Sequence, residues 1–216
     1  KGEKTKIKFD SLNKIEEFIN DSLSFGLDGF MINSNKIGYK LISETNFKIN
    51  KEIHYSIPYP HKYANMINES GMLSLLKYVI KNTSFWKNIL VGIKFLITRN
   101  VKYFVPLTLD VEVPSNLKKG SYVYLQNVIT DLLIGMGRGD LIIDFVNSVS
   151  KMGYKPGLIT LNPVKLDCIL ASNEVLKISD LIVCFNINKQ GFNVFPSLID
   201  VQDFINSKPK YKLMGM

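Results

Sequence analysis

Apolar residues recur along the chain at two spacings, and each spacing predicts a different kind of element. Over residues 11–25 the apolar positions fall on one face of a helix, which Ser11 or the residue before it can cap and Gly26 can end. The short apolar runs at 27–33 and 52–59 predict buried strands instead. The chain is therefore expected to pass from a helix into sheet structure.

The clearest strand pattern lies at residues 103–114. Apolar side chains from Leu107 to Val113 alternate with polar ones, which is the period of a strand with one polar face. Asp110 and Glu112 both belong to the polar set. A strand at this place would hold the two carboxylates on the same face.

Helical and strand patterns alternate through the rest of the chain. In order, the predicted elements are two helices between His61 and Asn100, helices over 121–134 and 140–153, strand 156–162, helix 164–177, strand 180–186, helix 197–207 and strand 211–216. Together with the strands above this makes six, and residues 5–9 are a candidate seventh. Strands that are separated by helices form a largely parallel sheet, because each helix runs back along the sheet and the next strand starts at the same end as the one before.

The predicted fold class is α/β, in a single domain over residues 1–216. A chain of this kind either closes into a parallel β/α barrel, here TIM-barrel-like and incomplete or truncated, or stays open as a doubly wound sheet. We prefer the barrel, since no GxGxxG motif follows a first strand and the dinucleotide-binding form of the open sheet loses its main support. A length of 216 residues suits one sizeable core.

The charge of the chain comes almost wholly from lysine. The formal net charge is +8, and Arg99 and Arg138 are the only arginines. Specific nucleic-acid recognition relies on bidentate arginine contacts, so nucleic acid is a disfavoured partner. Because the lysines are scattered, they are typical of a solvated surface that attracts anions, and the expected partner is a small anionic molecule.

The cysteines and the hydropathy of the chain indicate the cellular compartment of the protein. Cys168 and Cys184, the only cysteines, lie in apolar segments typical of buried thiols, which favours a reduced, cytoplasmic protein. The segment 85–97 comes nearest to a membrane helix. Its Lys87 and Lys94 favour an amphipathic core helix instead, so no membrane partner is expected.

Two stretches resemble TIM-barrel enzymes. The residues "SFGLDGFMIN" (24–33) are similar to the helix-to-strand joints of that superfamily. The residues "MGYKPGLITLNP" and "ISDLIVCFNINKQGF", within 152–192, are similar in order to the late strands of the ribulose-phosphate 3-epimerase group. The metal-binding patterns of that group have no match here, and residues 191–193 replace its phosphate-binding glycine pair. The resemblance therefore implies a barrel and transfers no catalytic residue.

Polar residues follow the predicted strands at their carboxyl ends, where ligands bind in barrels and in open sheets alike. The residues are Asn33, Tyr59, His61, Asp110, Glu112, Asn162, Asn186 and Asn188. An asparagine amide both donates and accepts hydrogen bonds, which suits a hydroxylated or carboxylated small molecule. An asparagine at a strand end is also an ordinary turn former, and Asn162 before Pro163 is equally typical of a helix start.

Asp110 and Glu112 are the candidate catalytic pair. Two adjacent carboxylates raise the pKa of one of them and leave an acid beside a base, or they share a divalent cation, the one cofactor that they suggest. If the strand end faces solvent, both are merely hydrated. His61 is a candidate proton shuttle or a structural residue, and Gly137 with Arg138 before a predicted helix is a weak candidate phosphate site or a plain link between helices.

Three functions remain open at this stage. The first is a barrel enzyme that acts on a small anionic, oxygen-rich metabolite by isomerase-type or lyase-type acid/base chemistry. The second is a non-catalytic small-molecule-binding or regulatory protein on the same scaffold, which the lack of a strong nucleophile, metal or cofactor motif favours. The third, binding to nucleic acid or anionic surfaces through lysines, predicts an affinity that falls steeply with salt.

Overall fold

The protein has an α/β fold built on six parallel strands, as described by a computed structural model. The sheet order is β1-β2-β3-β4-β5-β6, and the sheet curls into a half-barrel flanked by helices. The described residues are 11–27, 29–44, 52–58, 65, 68–70, 77–78, 80–81, 83, 85–98, 100–173, 175 and 178–216. Within them the sheet does not complete an eight-stranded barrel.

The helices and strands follow each other along the described chain with short connections in its second half. Their bounds are α1 Leu12–Ser24, β1 Gly29–Asn33, α2 Lys36–Glu44, β2 Glu52–Ile57, α3 Phe85–Thr98, a 3-10 turn Val101–Tyr103, α4 Phe104–Glu112, β3 Tyr122–Leu125, α5 Asn127–Gly135, α6 Gly139–Lys151, β4 Lys155–Thr160, α7 Pro163–Ala171, a 3-10 turn Ile178–Asp180, β5 Ile182–Phe185, α8 Leu198–Asn206 and β6 Lys212–Gly215.

Most of the predicted elements are confirmed. The helix at 11–25 is α1, whose first turn is capped by the Ser11 hydroxyl, which accepts from the Lys14 amide. The predicted strands at 27–33, 52–59, 156–162, 180–186 and 211–216 correspond to β1, β2, β4, β5 and β6. The candidate strand at 5–9 lies outside the described residues.

The strand predicted at 103–114 is wrong, because this segment forms a 3-10 turn and helix α4. The alternating apolar residues contain two pairs at helical i, i+4 spacing, Leu107 with Val111 and Leu109 with Val113, and all four side chains are buried. A short helix buried on two sides therefore gives the same pattern as a strand with one buried face.

The helix predicted at 121–134 is wrong in its first part, which forms β3. All four residues of β3, Tyr122–Leu125, are buried, and α5 starts after Gln126. A strand covered on both faces loses the alternation of apolar and polar residues that identifies half-buried strands. The segment therefore looked like the start of the helix that follows it.

The two faces of the sheet pack against different surroundings. The face that carries Tyr55, Val123, Leu158 and Val183 joins the helices in the larger hydrophobic core. The opposite face, called the inner face here because the helices cover the other side of the curl, forms a smaller cluster. Its buried members are Tyr122, Tyr124, Ile159, Ile182 and Cys184.

Gly157 on β4 makes room for an aromatic ring of the inner face. A Cβ atom at this position would overlap the ring of Tyr124, its neighbour across β3 and β4. We therefore expect Gly157→Ala to lower the free energy of unfolding by about 1–3 kcal/mol through overpacking. Urea unfolding measures this change.

Gly135 at the end of α5 provides the matched control, because a Cβ added there meets nothing within 4 Å. Gly135→Ala is expected to leave stability unchanged or to raise it by up to about 1 kcal/mol. Equal effects of the two substitutions would show that the Tyr124 ring does not occupy the space over Gly157.

Candidate functional site

The inner face of the sheet carries a row of polar and aromatic side chains that span neighbouring strands. His54 on β2 is level with Tyr122 on β3, and Tyr122 is level with Lys155 on β4. The next row towards the carboxyl edge contains Ser56 and Tyr124. Parallel pairing thus brings residues that are far apart in sequence into one patch.

His54 is the centre of this patch. Its Nδ1 atom lies 2.8 Å from the Tyr124 hydroxyl, and its ring stacks on Tyr122 with 4.9 Å between the centroids. Its Nε2 atom lies 3.6 Å from a carboxylate oxygen of Glu52. The imidazole therefore connects a buried phenol to a carboxylate whose side chain is 60% exposed.

Two lysines complete the patch at Tyr122. The ammonium of Lys155 lies 5.0 Å from the centre of the Tyr122 ring and 3.7 Å from Glu52, and that of Lys212 donates to the Tyr122 hydroxyl over 3.4 Å. We call Glu52, His54, Tyr122, Tyr124, Lys155 and Lys212 the inner-face cluster. With a neutral His54 the cluster carries two positive charges and one negative charge.

Burial controls the protonation of the inner-face cluster. It lowers the pKa of His54, against the opposing effect of Glu52, and it raises the pKa of Tyr124. Tyr124 therefore keeps its proton, and its hydroxyl donates a hydrogen bond to Nδ1 of a neutral His54. The His54 proton is then on Nε2, directed towards Glu52. This tautomer is assigned from the hydrogen-bond geometry.

Two smaller side chains on the same face differ in what they offer. The Ser56 hydroxyl is buried and has no hydrogen-bond partner within the described part of the chain. A buried hydroxyl of this kind is costly unless a ligand or water satisfies it. Burial raises the pKa of Cys184 to about 11, so its thiol is a poor nucleophile at neutral pH.

The asparagines predicted to line a binding site do follow the carboxyl ends of parallel strands, but their amides bond to other groups of the protein. Asn33 accepts from the Gln126 amide, and Asn162 caps α7 by accepting from the Lys165 backbone. Asn186 donates to the Asn193 carbonyl. The amide of Asn188 both accepts from the Phe192 backbone and donates to it, which closes the turn after β5. Turn formation and capping account for Asn162, Asn186 and Asn188.

The geometric basis for a carboxylate pair at Asp110 and Glu112 is lost, because both residues belong to helix α4. Two residues along a helix turn by about 200°, so the side chains leave on different sides. Glu112 is 1% exposed on the side of the sheet that carries Tyr55, and Asp110 is half-buried. Neither belongs to a strand end.

The remaining predicted residues divide into two groups. Arg138 binds Asp140 through two hydrogen bonds of 2.9 and 2.8 Å, next to Gly137, whose φ is +69° in the turn between α5 and α6. That carboxylate already occupies the guanidinium, which makes a phosphate site here a poor fit. Tyr59 and His61 lie outside the described residues.

Metal binding and a second concavity offer no stronger site. No group of three potential ligands among His, Cys, Asp and Glu occurs in the described residues. A cavity of about 210 Å³ lies between α4, α5 and α6 on the helix side, with a lining that includes Leu109, Leu125 and Phe145. This lining is apolar and does not suit an anion.

Of the two thiols that the sequence predicts to be buried, Cys184 is buried and Cys168 is exposed.

The chain has no match among protein-family models, curated proteins or solved structures. The inner-face cluster is therefore the main indication of what the protein binds. Sequence reasoning missed this cluster, although β2 carries a signal for it. Glu52, His54 and Ser56 alternate with Ile53, Tyr55 and Ile57, which indicates a strand with a polar face.

The lowered pKa of His54 predicts how stability depends on pH. Because the folded pKa lies below the unfolded value of about 6.5, the unfolded chain binds more protons and stability falls as the pH drops below that value. We expect His54→Gln to remove this part of the pH dependence. The groups that face His54 are Glu52, Tyr122, Tyr124 and Lys155.

Urea unfolding of the parent and of His54→Gln, each at pH 7.5 and pH 5.5, measures how much stability each protein loses. Contributions from groups common to both proteins cancel in the difference between the two losses. A His54→Gln protein that loses as much stability between these pH values as the parent would show that His54 is not buried in its neutral form.

Proposed function

We propose that the protein binds a small anionic, oxygen-rich molecule on the inner-face cluster. The observation that carries this proposal is the placement of Lys155 and Lys212 around Tyr122, beside a buried histidine that stays neutral. Two ammonium groups against one carboxylate leave an excess of positive charge. An anion that replaces water between them gains charge-assisted hydrogen bonds in a partly buried place.

The chemistry of the neighbouring side chains favours a ligand with several oxygens. Ser56 offers a buried hydroxyl one row nearer to the carboxyl edge, and Asn33 lies level with it on β1. The inner face thus presents ammonium groups at one end and neutral donors and acceptors at the other. A carboxylated or phosphorylated molecule with hydroxyl groups would use both.

The scaffold that we propose is a β/α barrel. Support comes from the sequential order of six parallel strands, from the curl of the sheet and from the resemblance of residues 152–192 to late barrel strands. Barrel enzymes bind substrates at the carboxyl edge, whereas Glu52 and Lys155 are the first residues of β2 and β4. The position of Glu52 and Lys155 at the amino ends of their strands therefore favours a binding site over a catalytic one.

Catalysis is the second candidate, and the contact between Glu52 and Lys155 favours it. A carboxylate base 3.7 Å from an ammonium that can stabilise a developing oxyanion is suited to proton abstraction next to a carbonyl group. His54 would act as a positioning residue through its contact with Glu52. The reaction would be of the isomerase or lyase type.

Binding is tested by calorimetric titration with inorganic phosphate, citrate and uncharged ribose. We expect the two anions to bind and ribose to bind far more weakly. Lys155→Gln is expected to weaken anion binding about tenfold, which is the effect of losing one charge-assisted hydrogen bond. Lys189→Gln, at an exposed lysine after β5, is the matched control. Equal affinities of the two variants would refute the proposed site.

Catalysis is tested separately by proton exchange in heavy water, followed by nuclear magnetic resonance on a set of phosphorylated and carboxylated carbonyl compounds. If Glu52 is the base, Glu52→Gln should slow exchange at least about a hundredfold. Glu17→Gln, at an exposed glutamate of α1, should leave the rate unchanged. Exchange that is equally fast in both variants would remove Glu52 from the chemistry while leaving the binding proposal intact.

A further inference from the structure

Helix α3 (Phe85–Thr98) exposes an apolar stripe to solvent. Its members recur at helical spacing and lie on one side of the helix: Trp86, Ile89, Leu90, Ile93 and Ile97. Trp86 is 71% exposed and Ile97 is 77% exposed. The sequence predicted an amphipathic core helix here, and the helix is confirmed, but this apolar face is not in the core. A continuous exposed apolar face of this size indicates an interaction surface.

Two elements that follow α3 along the chain pack against it. The helix contacts α4 and the 3-10 turn at Val101–Tyr103. There the ammonium groups of Lys94 and Lys102 lie 5.6 and 5.7 Å from the centre of the Tyr103 ring. An aromatic ring flanked by lysines thus lies beside α3.

The sequence around α3 is strongly basic. Between Glu69 and Asp110 there is no acidic residue. The cationic residues of this stretch are Lys77, Lys81, Lys87, Lys94, Arg99 and Lys102. Of these, Lys77, Lys81, Lys94 and Lys102 are exposed in the structure. An apolar stripe with neighbouring lysines and no acidic member complements a surface in which an anionic layer covers an apolar interior.

We propose that α3 docks the protein on an anionic lipid membrane surface. The helix lies in the plane of the interface, with the apolar stripe among the acyl chains and the lysines among the headgroups. Its 14 residues are too short to cross a bilayer, and no helix within the described ranges is long and apolar enough to do so. Peripheral docking is thus the membrane interaction that suits this helix.

Charge decides between a membrane and a second copy of the chain. A dimer that buried the stripe against itself would bring together two copies of a helix from a stretch of sequence that contains lysines and no acidic residue, and their repulsion opposes association. An anionic membrane satisfies the apolar face and the charges at once. The proposal is independent of the inner-face cluster, because none of its members belongs to α3.

The single tryptophan of the chain, Trp86, reports on docking without a label. Its fluorescence is measured on the full chain with vesicles of phosphatidylcholine containing phosphatidylserine, and with vesicles of phosphatidylcholine alone. We expect a blue shift and co-flotation with the first and little of either with the second. High salt should reverse much of the binding, since the lysine contribution is screened.

Variants separate the stripe from general surface hydrophobicity. Leu90→Ser with Ile93→Ser is expected to weaken the partition into anionic vesicles at least about tenfold. Val128→Ser with Leu132→Ser changes two apolar residues on α5 that are 54% exposed, and should leave partition unchanged. Lys94→Glu tests the charge and should weaken binding to anionic vesicles as well.

Three results would overturn the docking proposal. The first is the absence of a blue shift with anionic vesicles. The second is equal binding to neutral vesicles, which would remove the role of the lysines. The third is a blue shift that follows protein concentration without vesicles, which would assign the stripe to contacts between copies of the chain.

Discussion

The pairing of β2 with β3 is the contact on which the rest of the structure depends. The chain leaves β2 at Ile57 and enters β3 at Tyr122, so this pairing closes the longest connection in the sheet at a cost in conformational entropy. Burial on both faces of the strands offsets that cost: Tyr55 and Val123 lie on the helix side, and Tyr122 on the inner face. The same register places His54 beside Tyr122.

Stability and function place different demands on the inner face. A buried histidine and two buried tyrosines are costly unless their polar atoms find partners, and the hydrogen bond between His54 and Tyr124 provides one. The ring of Tyr124 occupies the space over Gly157. The absence of a side chain at this position of β4 therefore allows the Tyr124 hydroxyl on β3 to reach His54. Ser56 is the exception, since its buried hydroxyl has no described partner. A ligand that binds as proposed above would supply the missing partner.

The sequence predicts the α/β class and five of the six strands because those strands alternate or lie between turn residues. It fails at 103–114 because alternating apolar residues also satisfy helical i, i+4 spacing, and only the packing of α4 decides between the two. It fails at β3 for the opposite reason, since burial on both faces removes the alternation. As a consequence, Asp110 and Glu112 were assigned to a strand end, whereas both lie in α4. The register of β2 against β3 could not be known from composition or spacing.

Several of the lysines lie next to tyrosine rings. Lys155 borders Tyr122 on the inner face, and Lys94 and Lys102 border Tyr103 beside α3, so the same pairing of ammonium and ring occurs at both proposed surfaces. The surroundings differ. At the inner face Lys155 is half-buried against the Tyr122 ring, whereas Lys94 and Lys102 beside α3 face solvent. Because Lys212 and Glu52 are exposed as well, salt screens most of the charge at both surfaces, within about 10 Å at moderate ionic strength.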